Sequence, residues 1–129
     1  MQAIRDLDQL LAHMHPMLNP GRYAFVALPD DVTLDPRRVV ASVREAEGLS
    51  AILLLQDALG LGLPVAFEAA WITLAVHSHL AAVGLTAAVS RALADAGISC
   101  NVVAGLHHDH LFVPFDQAPQ ALDALRAPA

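Results

Sequence analysis

The sequence predicts an α+β fold, with helices on one face of a mostly antiparallel sheet. Three observations lead there. Apolar residues fill 56% of the 129 positions and charged residues 16%, a composition that builds a core and lacks the signature of disorder. Short apolar runs punctuated by Gly and Pro alternate with short amphipathic stretches along the chain. The element order of the second half is echoed, with little residue identity, in the first half at a period of about 50 residues. The length suits one compact domain, or two subdomains of about 60 residues sharing a core.

Taken in order, Ile4 to Met14 reads as an amphipathic helix with Ile4, Leu7, Leu10 and Leu11 on one stripe. Pro16 and the turn chemistry of Leu18-Asn19-Pro20-Gly21 end it. Tyr23 to Leu28 is a buried strand closed by Pro29-Asp30-Asp31. The stretch 39–55 admits two readings. Val39–Arg44 and Leu49–Leu55 form a hairpin around Glu45-Ala46-Glu47-Gly48, or Pro36 to Glu47 forms a helix with Pro at N1 and Gly48 at C′. Asp57 to Leu61 makes a helical turn, and Pro64 to Ala70 a strand that ends the first half. Trp71 to Val76 opens the second half as a strand. Leu85 to Ala96 is the clearest helix, with Leu85, Val89, Ala92, Leu93 and Ala96 on its apolar stripe and Gly97 as the left-handed stop. Ser99–Ala104 and His110–Pro114 are strands joined around Gly105, and Pro119 to Arg126 is a final helix with Leu122 and Leu125 inward.

Charge excludes some functions. The net charge is −6, and all seven basic residues are Arg. A nucleic-acid footprint needs a basic stripe, which Arg37-Arg38 does not make. An anionic membrane surface is disfavoured for the same reason. The most apolar stretch, Ala51 to Val76, is interrupted by Gln56, Asp57, Pro64 and Glu68, and its longest clean run, Ala58 to Phe67, has ten residues against the roughly 20 of a span. The single cysteine, Cys100, suits a reducing compartment. The amino terminus carries acids and no long apolar segment, unlike a secretory signal. The expectation is a cytoplasmic protein that self-associates, since its apolar content exceeds what a chain of this size hides alone.

From Trp71 to Pro114 the chain carries Ile72–Val76, Gly84 before a helix, and Ala96-Gly97-Ile98 before the next strand. This resembles the ACT domain, a ferredoxin-like regulatory module of order βαββαβ. Five further strings sharpen the resemblance toward small bacterial proteins with two ACT-like repeats: Pro20-Gly21-Arg22-Tyr23, Arg44 to Leu49, Trp71 to Ser78, Val83 to Ser90, and Cys100 to Gly105 with His108 to Pro114. The resemblance implies two repeats, residues 1–65 with the leading helix and residues 66–129, and favours the hairpin reading of 39–55. It implies a non-enzymatic protein that binds or senses a small molecule, an amino acid in particular, at a repeat or subunit interface. It also implies a homodimer and a separate regulated protein. Two departures stand out: the first repeat lacks a full first helix, and the second lacks an evident last strand.

The first candidate site is the loop and helix start around Ser78, Val83, Gly84, Leu85 and Thr86. A helix N-terminus offers free N–H groups, Gly84 admits close approach and Thr86 adds a hydroxyl, so a carboxylate fits. The plainer reading is that Gly84 turns the chain and Thr86 caps the helix. His108, Asp109 and His110 are candidates for ligand or subunit contact, with His108 and His110 on one strand face and Asp109 on the other. His77, His79 and His107 could join them around a metal, yet no HExxH helix, CxxC pair or carboxylate cluster frames one. No metal, cofactor or catalytic residue is expected. Asn101 could bond a ligand across an interface, and Cys100 beside it reads as buried and inert. Glu45 and Glu47 read as a solvated turn, and Glu68, in an apolar strand, could meet an ammonium or guanidinium group. Trp71 reads as an anchor, and Arg91 with Asp95 as a solvated i, i+4 pair. The rival functions are a structural or partner-binding module without ligand, and metal binding by the histidines.

Overall fold

The computed structural model describes residues 15–75 and 84–126. The expected helix over Ile4–Met14 lies outside them, as do Ser78, Val83, His77 and His79. The described residues form one antiparallel sheet of seven strands. These are β1 (Pro16–Leu18), β2 (Tyr23–Leu28), β3 (Val39–Glu45), β4 (Gly48–Leu54), β5 (Phe67–Leu74), β6 (Asn101–Ala104) and β7 (Asp109–Pro114). Three helices accompany them: α1 (Leu55–Gly60), α2 (Leu85–Asp95) and α3 (Ala118–Arg126). The strand order is β3-β4-β2-β5-β7-β6, and β1 pairs with β5 off this path.

The stretch 39–55 is the hairpin. Glu45 faces Gly48 across its turn, and the positive φ of 137° at Gly48 explains a glycine there. α2 stops at Gly97, which takes a left-handed φ of 75° as expected. Between β2 and β3 no long helix forms. Pro36–Arg38 makes one 3-10 turn, capped by Asp35, whose Oδ1 accepts from the Arg37 N–H at 2.9 Å. Leu34 from this linker packs on the Ala24, Val26 and Leu53 cluster that α1 also covers through Ala58.

The two predicted strands Pro64–Ala70 and Trp71–Val76 are one. β5 runs unbroken for eight residues, and its two ends serve different partners. Phe67–Ala69 pairs with Phe25–Tyr23 of β2, while Ile72–Leu74 pairs with Leu18–Pro16 of β1. The strand missing from the second repeat is therefore supplied by β1, which precedes β2 in sequence. Pro16 is buried there. A three-residue strand shows no readable alternation, so turn chemistry dominated the local signal.

The helices pack on one face of the sheet. Ala70, Ile72, Leu74, Leu111 and Val113 meet Val89 and Leu93 of α2 and Ala121 and Leu125 of α3. The opposite face has no helix on it among the described residues, yet Ala69 and Phe112 there are fully buried. The sheet curls to cover them. Ala41 from one edge strand and Val103 from the other line a single cavity of about 150 Å³ together with Phe25 and Ile52. Burial on both faces accounts for the uninterrupted apolar run Leu111-Phe112-Val113.

Candidate functional site

Alternation along β5 sends Trp71 and Thr73 to the helix-free face, and β7 sends His110 and Phe112 to the same face. Thr73 lies opposite His110 in the ladder, so their side chains are neighbours. The Trp71 indole N–H donates to His110 Nδ1 at 3.0 Å. An accepting Nδ1 carries no proton, so the imidazole is neutral with its hydrogen on Nε2. Thr73 Oγ1 is 3.1 Å from the same Nδ1 and therefore donates to it as well. The Thr73 oxygen accepts in turn from Asn19 Nδ2 at 2.9 Å. Asn19 sits in the link between β1 and β2 and is held by two contacts to the Trp71 carbonyl, from its backbone N–H at 2.9 Å and its side chain at 3.2 Å. A directed chain of donors thus runs from Asn19 through Thr73 to His110, which Trp71 closes from the other side.

Burial, followed by the neighbouring His108, holds the His110 pKa below its ordinary value, with Asp109 opposing. The sign of the consequence follows. A native imidazole that resists protonation binds fewer protons than the unfolded chain below about pH 6.5. Stability is then complete above that pH, falls as pH drops through the unfolded-state value, and levels off beneath the folded-state one. Urea unfolding between pH 7.5 and 5 will show His110→Gln losing less stability on acidification than the wild type; equal slopes would refute this.

β5 ends, β6 ends and β7 begins at one end of the sheet, since Thr73 pairs with His110 and Ala104 with Asp109. His108, Asp109 and His110 lie there, half-buried. α2 starts at that end as well. Its 11 residues run back about 16 Å to Gly97, four residues before β6 begins. Gly84 is the N-cap, with a left-handed φ of 104° and no side chain capping the helix. Gly84 therefore turns the chain, while Thr86 is exposed and is not the cap. The N–H groups of Leu85, Thr86 and Ala87 have no acceptor within the helix. Asn101 pairs with Phe112, diagonal to His110 on the same sheet face, and Cys100 precedes it.

Cys100 packs against the helix-side core, and burial pushes its thiol up to about 11. At pH 8 the thiolate is then roughly one part in a thousand of the population. Alkylation by iodoacetamide at pH 8 should be at least tenfold slower (an order-of-magnitude expectation) than that of free cysteine; labelling at the free-thiol rate would contradict the buried setting. Among the described residues no group of three His, Cys, Asp or Glu side chains is placed to hold a metal. Glu45 accepts from Ser50 Oγ at 2.6 Å, and Arg91 pairs with Asp95 at 3.5 Å on the exposed surface of α2. Glu68 meets a guanidinium as expected in kind, but it is that of Arg22, at 3.1 Å. Asn19 and Thr73 were not legible as site residues. The usable signal was a polar residue at every second position of a strand, Trp71, Thr73 and then His110 opposite.

Residues 2–70 match one family model described as ACT domain, and residues 66–127 match a second with the same description. The two matches overlap at 66–70, where β5 begins. The chain is similar over its whole length to a protein of unknown function from Vibrio cholerae described as a possible transport protein. The two share 43% identity at a TM-score of 0.87, covering 100% of this chain and 99% of that one. A protein from Agrobacterium tumefaciens is similar at 20% identity and a TM-score of 0.63, over 85% of this chain and 84% of that one. The ligand-free regulatory subunit of aspartate kinase from Thermus thermophilus shares the fold at 12% identity and a TM-score of 0.64, over 92% of this chain and 98% of that one. No curated protein matches the sequence.

Proposed function

The chain belongs to the ACT-domain family, and from that premise we propose that it is a non-catalytic regulatory module that binds a small effector, an amino acid in particular. The observation that carries the reading is the end of the sheet where β5 finishes. Gly84, the uncapped first turn of α2 and the half-buried trio His108–His110 all lie at that end. The helix start supplies N–H groups and a positive dipole end for a carboxylate. The neutral His110, held by Trp71 and Thr73, carries its remaining N–H on Nε2. Asn101, diagonal to His110 on the same sheet face, would add an amide to the contacts of such a ligand. Binding would shift the population of two arrangements and so alter affinity for a partner protein.

Thermal unfolding with each of the twenty amino acids at millimolar concentration tests the proposal, with zinc and a chelator as controls. A ligand at 100 times its dissociation constant adds about 2.7 kcal/mol, roughly 10 °C in Tm for a chain of this size. One amino acid, or a few related ones, should give such a shift, and Thr86→Ala or Gly84→Val should reduce it. A shift with zinc alone would favour the histidine reading. No shift at all would leave a structural or partner-binding module as the better account.

A further inference from the structure

A second feature lies away from the end of the sheet just described. The link Leu18–Arg22 and the turn Phe115–Pro119 face each other across a cleft of about 600 Å³, within the ordinary range of small-molecule sites, about 300–1,000 Å³. Its walls are largely apolar: Leu18, Phe115 and Pro119, with Asn19 at the side. They carry one cation and one anion, Arg22 and Asp116. The Arg22 guanidinium lies 4.2 Å over the Phe115 ring, which fixes its plane. It contacts Glu68 through Nη1 at 3.1 Å, with its side chain 55% exposed. An exposed pair of that kind holds weakly, and a guanidinium has five N–H donors, so Arg22 can take a carboxylate in addition to Glu68 or instead of it.

The cleft wall is already built. The Tyr23 hydroxyl donates to the Pro20 carbonyl at 2.7 Å, and Leu55 N–H donates to the Arg22 carbonyl at 2.8 Å. Asn19 is anchored to Trp71 and Thr73 as described. Gly21 adopts a φ of 103°, and a Cβ there would come within 3.3 Å of Leu54 Cδ2, so only glycine passes the chain at this point. These constraints explain the string Pro20-Gly21-Arg22-Tyr23. A preformed wall lowers the ordering cost of binding.

The geometry points to this cleft as a binding site for an amino acid with an apolar side chain, its carboxylate on Arg22, its body against Leu18, Phe115 and Pro119, and its ammonium toward Asp116. This assignment rests on the proposed effector-binding function and adds a second amino-acid site to the one at the helix start. One cation and one anion on an otherwise apolar wall match the charge pattern of such a zwitterion.

Isothermal titration of the full chain with L-leucine, with 4-methylpentanoate (the same body without the ammonium) and with L-threonine tests it. L-leucine and 4-methylpentanoate should bind, and L-threonine should bind more weakly. Arg22→Gln should weaken both apolar ligands about tenfold or more, the scale of a lost charge-assisted contact. Asp116→Asn should weaken L-leucine and leave 4-methylpentanoate unchanged. Unchanged thermal unfolding of both surface variants separates lost contact from lost fold. Leucine binding that survives Arg22→Gln but not Thr86→Ala overturns the cleft and keeps the effector function at the helix start. Failure of both apolar compounds also overturns the cleft; the broader function falls with it only if the other amino acids fail too.

Discussion

Phe112→Ala should cost about 3–5 kcal/mol, a large share of the roughly 5–15 kcal/mol that holds an ordinary domain folded. Phe112 is fully buried at the middle of β7. Its ring meets Phe25 edge to face at 5.6 Å and stacks near Trp71 at 6.1 Å. Those partners come from β2 and β5, so one side chain ties three strands on the face that no described helix covers. Truncation leaves a void that neighbours held in a curled sheet cannot close. Phe112→Leu, which keeps most of the volume, should cost markedly less. Urea unfolding of the two variants side by side checks the claim. A loss below about 1 kcal/mol for Phe112→Ala would mean that the helix-free face is not a packed core.

The second large effect concerns division of the chain. Fragments 1–65 and 66–129, the two repeats read from the sequence, are each expected to be unfolded in isolation. The loss is then the entire folding free energy, about 5–15 kcal/mol. Cutting before β5 removes the partner of Tyr23–Phe25 and of Pro16–Leu18 at once. It also divides the cluster of Tyr23, Ile52, Ala69 and Phe112. The intact chain should unfold in one transition, with far-ultraviolet dichroism and Trp71 fluorescence coinciding. A fragment that melts cooperatively by itself would show that the repeats are independent.

The helix start at Gly84, the stop at Gly97 and the final helix were legible because each rests on local chemistry, a positive φ or an apolar stripe, whereas 39–55 stayed open between hairpin and helix until the family resemblance favoured the hairpin. The family was legible for a related reason, since its strings mark those same turns and strand ends. Asn19 was read correctly as a turn residue, and only so far, because its partners Trp71 and Thr73 are 52 and 54 residues away. His110 could be placed on a strand face, but nothing local shows that Trp71 and Thr73 fix its tautomer. That Asn101 stands diagonal to His110 was not legible either, because the register of β6 on β7 is set by strand pairing and not by local sequence.

By itself the sequence determined most of the helices and strands and their order, through side-chain spacing and turn residues, and its motif strings carried the family resemblance. Only the tertiary structure decided that β1 completes the second repeat, that β5 is one strand shared by both, and that Arg22 meets Phe115 and Glu68 across a cleft. Such pairings join residues far apart in the chain. They are selected by which exposed edge and which apolar face remain to be covered once the local elements have formed.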